Sequence, residues 1–300
     1  MRIFSYLTAA LLCLYSVTGR GAESGDIQNK PHLDSEIAEI GKVSPRTQIA
    51  GAQGERYSPE FVMSLNGEWD FWWSESDASF REEFLSARYN SSDWNKIQVP
   101  ANWELNGYGT AIYTNHGYEF KPYKPQPPHL PEKNPVGVYR KVINIPENWD
   151  GREVYLNIGG AKSGCYLYVN GEFAGYNEDS KNTAEYDLTP YLHKGENLIA
   201  LKIYRWSTGS YLECQDFWRL SGIERDVYIF AQPKVHIFDY TITPIVEELS
   251  ADGLTGSGYF ELDVVVRNST CAEAVATLSL GGALKGDEKR EIAVGAGKES

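Results

Sequence analysis

The sequence predicts an all-β protein, and three observations carry that expectation. Short runs with period-2 alternation or β-branched content recur from residue 64 onward, each closed by Gly, Pro, Asn or Asp. No stretch sustains the 3.6-residue apolar period of a long amphipathic helix. A chain of 300 residues that is 42% hydrophobic can bury a sizeable core, and many short antiparallel strands bury one most readily as two packed sheets.

The elements follow in chain order. Residues 1–22, "MRIFSYLTAALLCLYSVTGRGA", set Arg2 ahead of an apolar stretch over 3–17 and then the small residues Gly19, Gly21 and Ala22. That pattern reads as a secretory signal peptide, with export to the periplasm as the expected destination. A lipid anchor at Cys13 is disfavoured because Leu12 is large where a small residue is needed. Residues 23–55 are polar without a period and read as an extended arm or a surface-hugging segment.

Residues 56–232 are expected to form a jelly-roll sandwich. Asn66-Gly67 is a turn signal before the aromatic strand of "SLNGEWDFWW", and "KVINIP", "REVYLNIGG", "ENLIALKIYRW" and "RDVYIF" supply further strands. Asn170-Gly171, between "CYLYV" and "EFAGY", is the clearest hairpin signal, since a type I′ turn needs positive φ at both central residues. "SPEFVMSL" and "SFREEFLSARY" are each expected to give a short helix. After "AQPK", alternation resumes over 233–300, as the start of an immunoglobulin-like sandwich. About four strands fit there against the roughly seven of such a domain, so the sequence is expected to be the front of a longer protein.

Composition excludes some functions. A net charge of -13 without a run of Lys or Arg argues against nucleic acid. No stretch after the signal peptide is apolar enough to cross a bilayer. Cys165, Cys214 and Cys271 are too few and too scattered for a disulfide framework or structural zinc.

Two stretches could carry a ligand. Residues 99–141 are dense in Pro and Gly yet hold Trp103, Tyr108, Tyr113, Tyr118, Phe120 and Tyr123. A long loop with that many aromatics is either a clamp over the end of the sandwich or a binding wall, and both readings stay open. Residues 205–229, "RWSTGSYLECQDFWRLSGIERDVYI", interleave aromatics with charge. Sugars suit such surfaces, because their C–H faces stack on rings while their hydroxyls seek amides and carboxylates. Asn102, Asn115, Gln215 and Asp216 provide those groups. A glycosidase needs two carboxyl groups flanking the scissile bond. Neither Glu213 with Asp216 nor the adjacent Glu178 and Asp179 shows such opposition, and the latter pair reads as a solvated turn. Arg205, Arg219, Arg225 and Asp226 are expected to form ion pairs that lock the loop.

Together these pieces carry a family resemblance. The 205–229 stretch closely resembles a motif of glycoside hydrolase family 2, in its bacterial β-galactosidase branch. "SLNGEWDF", "VPANWELNGYGTAIYTN" and "YVNGEFAGYNEDSKNTAEYDLT" agree and follow in the family's order, over roughly residues 60–235. The resemblance implies a galactose-binding-like jelly roll beside a later (β/α)₈ barrel that is not present in this segment. It implies retaining hydrolysis of terminal β-D-galactose residues from β-galactosides or oligosaccharides, with the catalytic Glu pair and a Mg²⁺ site in the barrel, so the segment alone is expected to be inactive. By match to "IYTN", Asn115 would contact galactosyl hydroxyls. By match to "QDFW", Asp216 would contact the sugar and a Na⁺ ion. Trp218 and Arg219 are expected to pack. Cys214 stands where this branch often has Asp, which weakens any claim for a second local acid. The family also suggests homo-oligomers. A non-catalytic carbohydrate-binding module, a structural adhesion role, and a β-glucuronidase or β-mannosidase specificity remain as alternatives.

Overall fold

A computed structural model describes residues 30–46, 59–120, 126–280 and 288–299. The signal peptide expected over 1–22, and Tyr123, lie outside the described residues. The chain divides into two compact units, whose described parts are residues 30–44 with 59–233, and residues 45–46 with 234–299. No α-helix occurs among the described residues, and none is long and apolar enough to cross a membrane.

The larger unit is built from β1 (Glu39–Ile40), β2 (Val62–Ser64), β3 (Gly67–Ser74), β4 (Asn95–Val99), β5 (Ala101–Asn102), β6 (Ile112–Thr114), β7 (Val136–Ile145) and β8 (Glu153–Ile158). It continues through β9 (Ala161–Lys162), β10 (Gly164–Val169), β11 (Glu172–Asn177), β12 (Ala184–Asp187), β13 (Gly195–Tyr204), β14 (Phe217–Arg219), β15 (Gly222–Ile223) and β16 (Val227–Gln232). A seven-stranded antiparallel sheet runs β1-β11-β10-β13-β7-β3-β4, and a four-stranded sheet runs β12-β8-β16-β2. One core joins them: Trp69, Phe71, Leu167 and Leu201 from the first sheet pack with Leu156 and Ile229 from the second. The Asn170-Gly171 turn has φ of 54° and 92°, the two left-handed residues a type I′ hairpin requires.

The described part of the arm in this unit, residues 30–44, runs against the larger sheet as a surface-hugging segment would. β1 extends the edge of the large sheet by pairing Glu39 with Asn177 and Ile40 with Tyr176. Ahead of it His32 is buried, stacked on Tyr204 at 3.8 Å, with Nδ1 2.6 Å from the Tyr166 hydroxyl.

Neither expected helix forms. "SPEFVMSL" gives a 3₁₀ turn at Pro59–Phe61 and then β2, because Val62 pairs with Phe230. "SFREEFLSARY" gives a 3₁₀ turn at Glu82–Leu85 whose Phe84 and Leu85 cover the outer face of the large sheet. Buried Arg140 of β7 donates to the carbonyl oxygens of Phe84, Ser86 (3.0 Å) and Tyr89 (2.9 Å). Those carbonyls are thereby satisfied without a helical ladder, and tertiary packing overrides local propensity.

The smaller unit contains β17 (Val235–Leu249), β18 (Gly256–Asn268), β19 (Ala274–Leu280), β20 (Glu288–Val294) and β21 (Lys298–Glu299). They form a three-stranded sheet β17-β18-β21 and a two-stranded sheet β19-β20. Arg267 lies 3.5 Å over the ring of buried Phe238.

The end of the sandwich under residues 99–120 is tightly packed. A Cβ added to Gly137 would meet Trp103 Cζ3 at 2.6 Å and Phe71 Cε2 at 2.9 Å, both on buried rings that cannot swing aside. Gly137→Ala is therefore expected to destabilise the chain by about 1–3 kcal/mol. Urea unfolding should show a lowered midpoint with an unchanged slope, and an unaltered midpoint would contradict this packing.

Candidate functional site

β6 and β14 form a short antiparallel ladder in which Thr114 faces Phe217, Tyr113 faces Trp218 and Ile112 faces Arg219. Strand alternation sorts these residues onto two faces. Ile112, Thr114 and Phe217 are half-buried on the inner side, and Arg219 is only 2% exposed. Tyr113 and Trp218 point outward, at 54% and 56% exposure, with ring centroids 5.7 Å apart. Asn115 directly follows Thr114 and Asp216 directly precedes Phe217, so both stand at the same end of the ladder.

The outward face is polar as well as aromatic. The Tyr113 hydroxyl donates to Asp216 Oδ1 at 2.6 Å, and that hydrogen bond holds the phenol above its ordinary pKa. Among the described residues Asp216 Oδ2 has no hydrogen-bond partner. Asn115 is exposed, with Oδ1 2.8 Å from His116 Nδ1. The two expected sugar contacts are both exposed beside that end of the ladder. Gln215 is exposed beside them. Asn102 does not join them: it lies in β5 opposite Gly222, and its amide donates to the Ser221 carbonyl at 3.3 Å.

Buried charge holds the ladder in place. Arg205, just past the end of β13, reaches Glu119 Oε2 at 3.2 Å and Glu104 Oε1 at 3.5 Å. Its Nη2 also donates to the carbonyls of Thr110 (3.0 Å) and Arg219 (3.4 Å). Lys162 lies 3.7 Å from Glu119 Oε1. Glu104 accepts from the Trp103 indole at 2.7 Å and the Ser221 amide at 2.8 Å.

The expectation of ion pairs holds for Arg205 and needs correction elsewhere. Arg219 binds the Glu213 carbonyl at 3.3 Å and lies 4.7 Å over the Phe217 ring, Arg225 donates to the Lys181 carbonyl at 2.6 Å, and Asp226 accepts from the Asn66 amide at 2.9 Å. Arg219 packs as expected. Trp218 does not, because alternation turns it outward.

Among the aromatics of 99–120 the clamp reading holds for those that are buried. Trp103 and Phe120 are buried, and Phe120 packs edge-on against Trp206 at 5.6 Å and Tyr211 at 5.2 Å, which is clamping. Tyr113 is exposed and takes no part in that clamp. Its role was open to sequence reasoning through the alternation of "IYTN" against "QDFW", a signal that acts only once the two segments are known to pair.

Glu178 is not in a solvated turn. It is buried and accepts from the Tyr176 hydroxyl at 2.7 Å and the Thr208 hydroxyl at 2.8 Å. Glu213 faces inward and accepts from the Ser180 amide at 2.7 Å and hydroxyl at 2.6 Å, so it does not oppose Asp216 across a gap. Among the described residues no group of three or more His, Cys, Asp or Glu is placed to hold a metal ion.

Residues 62–233 match the family described as glycosyl hydrolases family 2, sugar binding domain. A β-galactosidase of Priestia megaterium is 41% identical over 203 residues, covering 67% of this chain and 20% of that protein. A β-galactosidase of Halalkalibacterium halodurans is 42% identical over 178 residues, covering 59% of this chain and 18% of that protein. The chain spans about a fifth of the length of these relatives. A solved β-glucuronidase of Bacteroides uniformis superposes with a TM-score of 0.59 at 17% identity, over 80% of this chain and 26% of that one, which supports the fold alone.

The buried carboxyls give the domain a pH signature. Burial raises Glu104, Glu178 and Glu213 above the usual glutamate value of 4.5. Each binds its proton more tightly folded than unfolded, so its contribution is favourable below 4.5 and is lost as pH rises through the folded value. In Glu178→Gln the side-chain carbonyl can still accept from Tyr176 or Thr208 without titrating. The variant should therefore gain stability relative to the parent as pH rises above 4.5, read from urea unfolding across pH. A stability difference that stays constant with pH would refute it.

Proposed function

The chain belongs to glycosyl hydrolase family 2 and carries its sugar binding domain, and from that premise we propose that the complete protein is a retaining β-galactosidase to which this segment lends one wall of the galactosyl subsite. The observation that carries the reading is the β6/β14 ladder, which exposes the rings of Tyr113 and Trp218, ties Asp216 to Tyr113, and leaves an exposed amide and an exposed carboxylate at one end. Asn115 can donate to one sugar hydroxyl and accept from another, Asp216 Oδ2 accepts from a hydroxyl, and the rings take C–H faces.

Such contacts orient the glycoside and exclude water, which lowers the barrier by placement rather than by proton transfer. Retaining hydrolysis also requires an acid/base and a nucleophilic carboxylate about 5–5.5 Å apart, and these are expected from the rest of the protein. A sodium ion, where bound, would add a fixed positive charge for a sugar oxygen, and the unpartnered Asp216 Oδ2 suits it as one hard oxygen ligand. Magnesium is expected only beside the acid/base. We further propose export of the protein and assembly into homo-oligomers.

The charge of the wall favours a neutral sugar. Asp216 is exposed, whereas Lys162, Arg205 and Arg219 are buried. A uronic acid would bring its own carboxylate towards the exposed Asp216 carboxylate, a like-charge approach that weighs against a glucuronidase.

The test is hydrolysis of an aryl β-galactoside by the complete protein and by Asp216→Ala. Loss of a hydrogen bond to a charged acceptor predicts a fall in kcat/KM of about tenfold to a hundredfold. An inactive parent would point to a non-catalytic module or another specificity, and a variant equal to the parent would remove Asp216 from the sugar wall.

A further inference from the structure

We propose that Tyr113 is a positioning residue for the sugar wall, fixing the Asp216 carboxylate so that one oxygen is held by the protein and the other is presented to the sugar. The proposal rests on the galactosyl-wall reading above. Asp216 lies at the edge of the ladder and is exposed. An exposed carboxylate can rotate and offer either oxygen, and holding it at the moment of binding costs conformational entropy.

Tyr113 is placed to remove that freedom. It is the central residue of β6, its backbone faces Trp218, and its ring leans on that indole at 5.7 Å. From this paired strand its hydroxyl reaches Asp216 Oδ1 at 2.6 Å, a charge-assisted bond that leaves Oδ2 open. More than half of the Tyr113 side chain is exposed, so neither burial nor core packing accounts for the hydroxyl.

The experiment uses the complete protein and the variants Tyr113→Phe, Asp216→Ala and the double variant. Phe keeps the ring against Trp218 and removes only the hydroxyl. Equilibrium binding of free galactose is measured by calorimetry, alongside KM and kcat on an aryl β-galactoside. Tyr113→Phe should weaken galactose binding and raise KM by about three- to tenfold while changing kcat less, as expected for loss of one exposed charge-assisted bond. Because Tyr113 acts through Asp216, the double variant should bind no more weakly than Asp216→Ala alone.

Three results would overturn the proposal. If Asp216→Ala is impaired and Tyr113→Phe matches the parent, the sugar wall stands and the positioning role fails. If the two losses multiply in the double variant, Tyr113 acts independently of Asp216. If Asp216→Ala matches the parent, the wall reading itself fails and takes this inference with it.

Discussion

The candidate site depends on one buried guanidinium. Arg205 is nearly inaccessible, and a buried cation is tolerated only where opposite charge and hydrogen bonds replace its lost hydration. Glu104, Glu119 and the carbonyls of Thr110 and Arg219 provide that replacement, and none of them lies in a long strand of either main sheet. Meeting the electrostatic needs of Arg205 therefore draws two irregular segments, one on each side of the ladder, to a single point. β6 and β14 pair because the residues flanking them are already fixed there.

The sandwich supplies the point. β13 runs through the centre of the seven-stranded sheet between β10 and β7, and the Arg205 amide at its end bonds to the Pro135 carbonyl at 2.8 Å. A second anchor lies nearby: Glu178 binds Thr208, and Glu213 binds Ser180, so the 208–213 turn is tied twice to the end of β11. Asp216 stands three residues beyond that tie. Loops positioned in this way by a rigid scaffold can present side chains as accurately as regular elements can.

The sequence showed the parts whose physics is local. Alternation placed the main strands, and Asn170-Gly171 marked its hairpin because only the backbone of the turn itself is involved. What escaped it was set by partners far along the chain. "SFREEFLSARY" has the composition of a helix, yet Arg140, more than fifty residues later, occupies its carbonyls. Glu178 reads as part of a solvated turn until Thr208, thirty residues on, folds over it. Family resemblance alone singles out Asn115 and Asp216, whereas the contact of Tyr113 with Asp216 joins segments about a hundred residues apart.

The same geometry bears on which described carboxyls are open to a ligand. Raised carboxyl pKa values often mark catalytic acids, and Glu104, Glu178 and Glu213 all have them. Here the cause is burial among structural partners. Glu104 is held by Trp103, Ser221 and Arg205, Glu178 by Tyr176 and Thr208, and Glu213 by Ser180. Glu119 is taken by Arg205 and Lys162. General acid catalysis needs a carboxyl that can exchange its proton with substrate, and these four face inward and are occupied. Asp216 alone in this group is exposed with an open oxygen, and glycoside hydrolysis needs two carboxyls facing one bond. In the proposed function one available carboxylate, an amide and two rings meet the sugar hydroxyls and C–H faces, and the proton transfers fall to carboxyls elsewhere in the complete protein.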